Sequence, residues 1–444
     1  MSKKKNKKRN PQPTQALVRL SQCMIVKNEE KNIEKALSWG KDIVFEQIVV
    51  DTGSTDRTVE IAEKMGAKVF HFEWINDFSA AKNYAIEQAS GNWIAFLDAD
   101  EFISKQETKV LMAKLKKIRA DPEIREKCFA LNMPLINLDD NGNPSSVYDQ
   151  ERVFRNLPVV RYVGKIHEGL SALPDNVFRV DDVKVMHTGY SSSAHLETGK
   201  AERNIDLLRA ELVERPDDMN LKVYLAEALN VVGDPESAAE ADRLYLEAVN
   251  GTGGYEILRM NSYKHLIDKY SDLPGALADA EALSLKALGE FPDDIDINYF
   301  YGKVLNRKGE FQSAWKRLQR CETSLVKTTI ISEAPVLMAK PMLLFRELAV
   351  SAQGCGDLPG LVRYATMLLM DDKTQLGVLA PYLSELIKNN TQDDEIRELL
   401  SNVYDLNNPQ DLMLVARAAK ECGALDFARK LLERTGAAIN KKSG

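Results

Sequence analysis

The stretch Asn92-Trp93-Ile94-Ala95-Phe96-Leu97-Asp98-Ala99-Asp100-Glu101 runs from five apolar residues straight into three carboxylates within four positions. Trp93 to Leu97 is the right length for a strand covered on both faces, as central strands of α/β sheets are. In open parallel sheets ligands bind just beyond the carboxyl ends of the strands, so the acids fall where chemistry usually occurs. Asp98 and Asp100 bracket one small residue, which lets two hard oxygen donors converge on a cation such as Mg²⁺ or Mn²⁺. An acidic turn that caps the following helix would leave the same letters. The α/β pattern around the stretch favours the metal site.

Upstream, strand and helix alternate. Gln22 to Val26 reads as a strand that ends in Lys27-Asn28-Glu29-Glu30, followed by a helix with Ile33, Ala36 and Leu37 on one face. Ile48 to Val50 is a second strand with Asp51 at its carboxyl end. Thr52-Gly53-Ser54-Thr55-Asp56 then makes a tight loop, with Ser54 or Thr55 placed to cap a helix bearing Val59, Ala62 and Met65 and stopped at Gly66. Val69 to Phe72 is a third strand. Asp77 caps a helix carrying Phe78, Ala81, Ala85 and Ala89, and Gly91 closes that segment before the central strand. The β-α-β-α-β-α-β order demands parallel strands with right-handed crossovers. Glu29, Asp51 and Asp98 then all lie on one edge of the sheet. Downstream, Phe129 to Asn137 and Val147 to Phe154 flank a hairpin loop centred on Asn141-Gly142.

Composition limits the classes of function. The 444 residues allow two or three domains, and 44% apolar with 28% charged residues is the balance of a soluble globular protein. A formal charge of −7 gives no reason to expect nucleic-acid binding. Cys23, Cys128, Cys321, Cys355 and Cys422 are scattered and form no C-x-x-C pair, which suits reduced thiols in the cytoplasm. No apolar run approaches the roughly 20 residues needed to span a bilayer. Residues 1–10 are basic and lead to Pro11-Gln-Pro13 rather than an apolar core, so a disordered tail is expected over residues 1–19 and not a signal peptide. There is no G-x-G-x-x-G after the first strand and no G-x-x-x-x-G-K-[ST], which argues against a dinucleotide dehydrogenase and a P-loop NTPase. A nucleotide diphosphate can still bind where a metal meets its charge.

Four motifs follow in order: Met24-Ile-Val-Lys-Asn28-Glu29-Glu30, Ile48-Val-Val-Asp51-Thr-Gly-Ser54-Thr-Asp56, Asp77-Phe-Ser-Ala-Ala-Lys82-Asn83 and Phe96-Leu-Asp98-Ala-Asp100-Glu101. Together they resemble family 2 glycosyltransferases of the GT-A fold. Arg152-Val-Phe-Arg155, Gly164-Lys-Ile-His167-Glu168 and His187-Thr-Gly-Tyr190 resemble a bacterial subgroup that carries tetratricopeptide repeats and includes enzymes modifying peptide bacteriocins. The resemblance implies a Rossmann-like mixed sheet at residues 20–193. It also implies nucleotide-sugar contacts from Met24, Val26, Asn28, Glu29, Asp51, Ser54, Lys82 and Asp98, with Asp51 on the base and Lys82 near the diphosphate. The metal, Mn²⁺ or Mg²⁺, would be held by Asp98, Asp100 and His187. His187 reads equally as a polar residue closing the strand Val183 to Met186.

A sugar nucleotide loses a diphosphate, whose growing charge a divalent cation neutralises, while an acceptor hydroxyl needs a base. A thiol acceptor of pKa about 8.5 needs less help. Many relatives carry a Glu-Asp pair as the base; residues 140–190 contain none, and His167 with Glu168 occupy that part of the chain. The alternative for the two is a loop pair that shapes the acceptor cleft. Arg152 and Arg155 have the chemistry to meet phosphate, though strand arginines are usually solvated.

From about Ala194 onward Ala, Leu, Glu and Lys dominate at helical spacing, giving an all-α domain over 194–440. Arg215-Pro-Asp-Asp218 and Phe291-Pro-Asp-Asp294 are near copies 76 residues apart. That is close to two repeats of the ~34-residue helix-turn-helix kind. Tyr299 to Ala314, with Gly302 and Gly309, has the form of one such repeat, and Gly356 and Gly423 repeat the glycine turn. Stacked repeats present a concave surface suited to a polypeptide, either an acceptor or a second copy in a homodimer; a buttress for the first domain is the alternative. The expectation is an inverting, metal-dependent transfer from a uridine-diphosphate sugar to Ser, Thr or Cys of a peptide or protein. The alternatives are transfer to a lipid-linked or cell-surface glycan and a non-catalytic repeat adaptor.

Overall fold

The structure is a computed structural model that describes residues 17–139, 141–171, 176–188, 199–328 and 334–442. The expected basic tail, apart from Leu17 to Arg19, and the point near Ala194 where composition shifts lie outside the described residues. So do Gly189 and Tyr190. The chain divides into two compact units, one ending at Pro216 and the other beginning at Asp217.

In the first unit the four expected strands form as β1 (Leu20–Val26), β2 (Glu46–Asp51), β3 (Lys68–His71) and β4 (Trp93–Phe96). They lie in the order β3-β2-β1-β4, all parallel. Strand side chains alternate between the faces. Cys23, Ile48, Val50, Ile94 and Phe96 therefore meet Ala85 and Ile86 of helix α3 (Phe78–Gln88) on one side. Met24, Val26 and Val49 meet Ile33 and Leu37 of α1 (Ile33–Ser38) and Ala62 of α2 (Thr58–Met65) on the other. Trp93 to Phe96 are all buried, as a strand covered on both faces requires.

The sheet continues through β7 (Pro144–Arg155), antiparallel to β4, then β6 (Ala130–Leu138) and β11 (Val185–His187) to the two-residue β5 (Glu101–Phe102). β10 (Val177–Arg179) pairs beside β6, so the sheet is mixed. The β6–β7 hairpin turns where expected, with Gly142 at φ +80° and the Asp139 carboxylate accepting from Asn141 N and Asn143 N. A small ribbon of β8 (Tyr162–Val163) and β9 (Gly169–Leu170) precedes β10. Helices α4 (Lys105–Ala120) and α5 (Pro122–Lys127) cross from β5 to β6. Helix α6 (Lys200–Glu214) closes the unit, and its Glu211 accepts from Lys165 N at 3.1 Å. This helix belongs with the sheet, so the division falls at Pro216 and not at the compositional shift near 194.

One cap differs from expectation. Neither Ser54 nor Thr55 caps α2; the Asp56 carboxylate accepts from Thr58 N at 3.0 Å, while Ser54 Oγ accepts from Asn28 N at 2.9 Å. Loop-to-loop bonding has taken the hydroxyl that local spacing offered to the helix.

The second unit is all helix among the described residues. Successive helices pack in pairs: α7 (Met219–Val232) with α8 (Pro235–Asn250), α9 (Glu256–Asp272) with α10 (Leu277–Glu290), and α11 (Ile295–Lys308) with α12 (Phe311–Lys327). After the short α13 (Pro335–Ala339) come α14 (Met342–Cys355) with α15 (Leu358–Asp371), then α16 (Leu376–Lys388), α17 (Asp393–Ser401) and the pair α18 (Pro409–Glu421) and α19 (Leu425–Lys442). The near copies at 215–218 and 291–294 prove to be one helix-starting turn used twice. Asp218 and Asp294 each cap their helix through a carboxylate oxygen. Gly302 lies where a Cβ would meet Leu318 at 2.5 Å, so α11 and α12 approach as only glycine permits. No helix among the described residues is long and apolar enough to cross a membrane.

Candidate active site

The parallel strands deliver Asn28–Glu30, Asp51–Asp56 and Asp98–Glu101 to one edge of the sheet. The first two loops are knitted by short polar contacts. Asn28, held at φ +58°, donates its N–H to Ser54 Oγ and accepts from Thr55 N at 2.8 Å. Asp51 is buried, and its carboxylate accepts from Ser54 N at 3.0 Å and Gly53 N at 3.2 Å, with His71 Nδ1 at 3.4 Å. Burial works against ionisation, yet these donors hold its pKa below the usual range. Burial pushes the Glu29 carboxyl up, and Asn32 donates to it at 2.8 Å. Met24 and Val26 do not line a cleft by their side chains. Both point into the core beneath α1, because the alternation that puts Cys23 on one face puts them on the other.

The two aspartates of the central strand take different partners. Asp98 stands between Lys82 Nζ and Arg152 Nη2, each at 3.3 Å, and the two cations hold its carboxyl well below the usual range despite burial. Lys82 is 4% exposed, lies about equidistant from the Phe96 and Tyr162 rings at 5.2 and 5.1 Å, and also meets Glu168 Oε1 at 2.6 Å. Arg152 pairs in turn with the buried Glu101, whose other oxygen accepts from Asp98 N at 3.1 Å. The result is an ion chain Glu168–Lys82–Asp98–Arg152–Glu101. Beside it, Arg152 Nε and the Tyr162 hydroxyl lack a hydrogen-bond partner among the described residues.

Asp100 lies apart from that chain, with its Oδ2 3.3 Å from His187 Nε2. His187 Nδ1 faces the buried Asn137 Oδ1 at 2.6 Å. With Nδ1 donating to that carbonyl oxygen, Nε2 and Asp100 Oδ2 are two acceptors left to share one proton or one cation. An oxygen and an imidazole nitrogen suit Mn²⁺ or Mg²⁺ as donors, so the pair fits a divalent ion. Asp98 fits one poorly, since both its oxygens are already claimed by cations. Among the described residues no cluster of three metal-ligating side chains forms.

His167 and Glu168 sit on a loop braced at several points. Asn83 exchanges two hydrogen bonds with the Tyr162 backbone, both 2.9 Å. Ser79 Oγ donates to Gly164 O at 2.5 Å, and Phe78 N donates to Lys165 O at 2.9 Å. His167 follows at φ +49°, a conformation that L-residues adopt rarely and that clusters at functional sites. Desolvation outweighs the charges of Glu168 and Glu211 and lowers its pKa. In Asp77-Phe-Ser-Ala-Ala-Lys82-Asn83 the expected nucleotide contact is Lys82, and Ser79 and Asn83 hold the loop besides. Arg152, Glu101 and Asn137 carry no local pattern that joins them as a set. The one available signal was Arg152 on a strand paired with the central one. Arg155 donates to Arg125 O at 3.1 Å, a structural role.

Residues 21–124 match the family described as Glycosyl transferase family 2. This segment is similar to glycosyltransferase family 2 domains. The chain is 34% identical over 241 residues to a TPR repeat-containing protein of Synechococcus elongatus, covering 50% of this chain and 55% of that protein. It is 30% identical over 294 residues to the SPbeta prophage-derived glycosyltransferase SunS of Bacillus subtilis, covering 64% of this chain and 65% of SunS. The chain thus spans about half to two thirds of the length of these curated relatives. Among solved structures, S. aureus TarS 1-349 in complex with UDP-GlcNAc aligns at TM-score 0.32 and 18% identity, covering 66% of this chain and 92% of that one. The SunS match is longer than the family 2 domain.

Proposed function

We propose that this chain is an inverting glycosyltransferase that moves a sugar from a uridine-diphosphate donor to a Ser, Thr or Cys side chain of a peptide or protein. The observation that carries the reading is the Asp100–His187 pair, set at the sheet edge of the family 2 domain and beside the ion chain of Asp98. A divalent cation bound there would offset the charge that grows on the departing diphosphate. Asp51 is suited to accept from the N–H of a uracil base. Arg152 and Lys82 keep Asp98 ionised beside the ribose and add positive charge where the diphosphate would lie. His167 or Glu168 would take the acceptor proton, and direct attack opposite the leaving group would invert the anomeric carbon. The helical repeats supply the kind of extended surface that binds polypeptides, and the free, scattered thiols agree with a cytoplasmic setting.

The test is mass spectrometry of Ser-, Thr- and Cys-containing peptides incubated with the full chain and a panel of sugar nucleotides, with Mn²⁺ or with EDTA. A mass gain of one hexose or N-acetylhexosamine that requires Mn²⁺ is expected. Full transfer in EDTA would remove the metal, and transfer only to lipid-linked glycans would remove the peptide.

A further inference from the structure

In the helical unit Glu227 of α7 is half-buried, and among the described residues it has no hydrogen bond or ion pair. Burial alone acts on its carboxyl and pushes the pKa up to about 7. Two other desolvated charges of this unit are answered: Lys264 meets Asp294 and Asp296, and Arg307 meets Glu347. A desolvated carboxylate without a partner costs free energy, so its setting asks for an explanation.

Tyrosines flank it. Tyr224 lies one turn earlier on the same face of α7. Tyr245 of α8 is 4% exposed, and its hydroxyl meets Asn230 Nδ2 at 3.1 Å. Burial chiefly, and the Glu227 charge after it, raises the pKa values of both tyrosines, that of Tyr224 to about 12. Tyr255 is also close enough to Tyr224 to act on it; it is 62% exposed and is fixed by its backbone N–H donating to Asn220 Oδ1 at 2.7 Å. One carboxylate among tyrosine rings, two of which reach solvent, is complementary to a cation carried on an apolar stem.

We propose that Glu227, Tyr224 and Tyr255 form a site for a lysine or arginine side chain of a polypeptide that docks on the helical unit. The site stands without the transferase reading. If the docked polypeptide is the acceptor, the position of its basic residue relative to the modified one becomes part of the specificity.

The experiment uses the full chain without nucleotide sugar. The probes are a capped Gly-Lys-Lys-Gly peptide and its norleucine analogue, and binding is followed by NMR of labelled tyrosine rings. Lysine peptide should shift the ring signals and norleucine peptide should not. Glu227→Gln should weaken binding by about 10-fold or more, the loss of one charge-assisted contact. Tyr224→Leu should weaken it and Tyr224→Phe should not, while Glu236→Gln, an exposed control on α8, should bind as wild type. Glu227→Gln should also melt no lower than wild type, since nothing pairs with the carboxylate. Equal affinity of wild type and Glu227→Gln, equal binding of the norleucine peptide, or a clear fall in the melting temperature of Glu227→Gln would each overturn the proposal.

Discussion

The two units bury charge in different ways. In the sheet unit Lys82, Asp98, Arg152, Glu101 and Glu168 converge on one spot, and Arg152 Nε and the Tyr162 hydroxyl beside them are left uncommitted. In the helical unit, Glu227 aside, two sets of charged groups close on themselves and join one helix pair to the next. Lys264 of α9 reaches Asp296 of α11, whose two oxygens also accept from Val336 N and Leu337 N at 3.0 and 3.1 Å, the start of α13. Arg307 of α11 similarly meets Glu347 of α14. Convergence with donors to spare is what a ligand site requires, and closure is what a scaffold requires. A buried ion pair alone therefore says little about function; what matters is whether its hydrogen bonds are complete.

The largest expected effect tests the closed kind. Asp296→Ala leaves two helix-start N–H groups without their acceptor and the buried Lys264 ammonium with Asp294 as its one remaining carboxylate. Breaking a buried pair in this way costs about 3–5 kcal/mol. Urea titration of the helical unit should show that loss, while hydrolysis of a sugar nucleotide by the sheet unit persists well below the new midpoint. A cost under about 1 kcal/mol would mean that the group is no clamp.

Asp100→Ala should show the reverse pattern. Asp100 is part-exposed and no buried cation depends on it, so stability should stay within about 0.5 kcal/mol of wild type. Transfer should fall by about 10²- to 10³-fold, the scale for removing one element of electrostatic stabilisation. Nucleotide affinity should weaken only when Mn²⁺ is present. A variant that transfers at the wild-type rate in EDTA would show that the Asp100–His187 pair is not a metal site.

This contrast also separates what the sequence discloses from what it hides. The apolar run at Trp93 and the caps at Asp77, Asp218 and Asp294 are local patterns, and each is an element boundary in the structure. The acids at strand ends are equally local, because a parallel sheet sends them to one edge. The partners of those acids are not local. Asp98 is neutralised by a residue from α3 and another from β7, far apart along the chain, and nothing near Asp98-Ala-Asp100 marks that only its first acid is so paired. Ser54 shows the same limit on a smaller scale, since its hydroxyl was claimed by the β1 loop. In the helical unit the repeat signature was faint because the caps recur while the packing residues vary.

Asp51→Ala sharpens the comparison within the open edge. Its carboxylate already accepts from Gly53 N and Ser54 N, so one side chain both shapes the loop and is available to a base. The loss of a charge-assisted hydrogen bond worth about 1.5–3 kcal/mol should raise the sugar-nucleotide KM by roughly 10- to 100-fold. Because Asn retains an oxygen acceptor, Asp51→Asn should restore the loop more than the affinity. An unchanged KM with a lost kcat would move Asp51 from binding to chemistry.

The smallest effect concerns the opposite, amino-end edge of the same sheet, where Glu46 is a closed group inside the unit that carries the open one. Its Oε1 accepts from Ser21 Oγ at 2.8 Å, Ser90 N at 2.7 Å and Ser90 Oγ at 2.9 Å, while Oε2 accepts from Lys68 Nζ at 2.6 Å. Burial raises the carboxyl pKa, but these donors outweigh it and bring the folded value from 4.5 down to about 2. A depressed folded pKa means that the charge stabilises the fold fully above the unfolded value and loses that contribution as pH falls from about 4.5 toward 2. Glu46→Gln keeps the oxygen acceptor but not the charge, so it should cost about 1 kcal/mol near pH 7. The gap between variant and wild type, read from urea midpoints at matched slope, should narrow steadily below pH 4.5. A gap that stays constant from pH 7 to pH 3 would mean that geometry and not charge holds the three strands together at Glu46. The distinction between open and closed groups would then have to rest on hydrogen bonds alone.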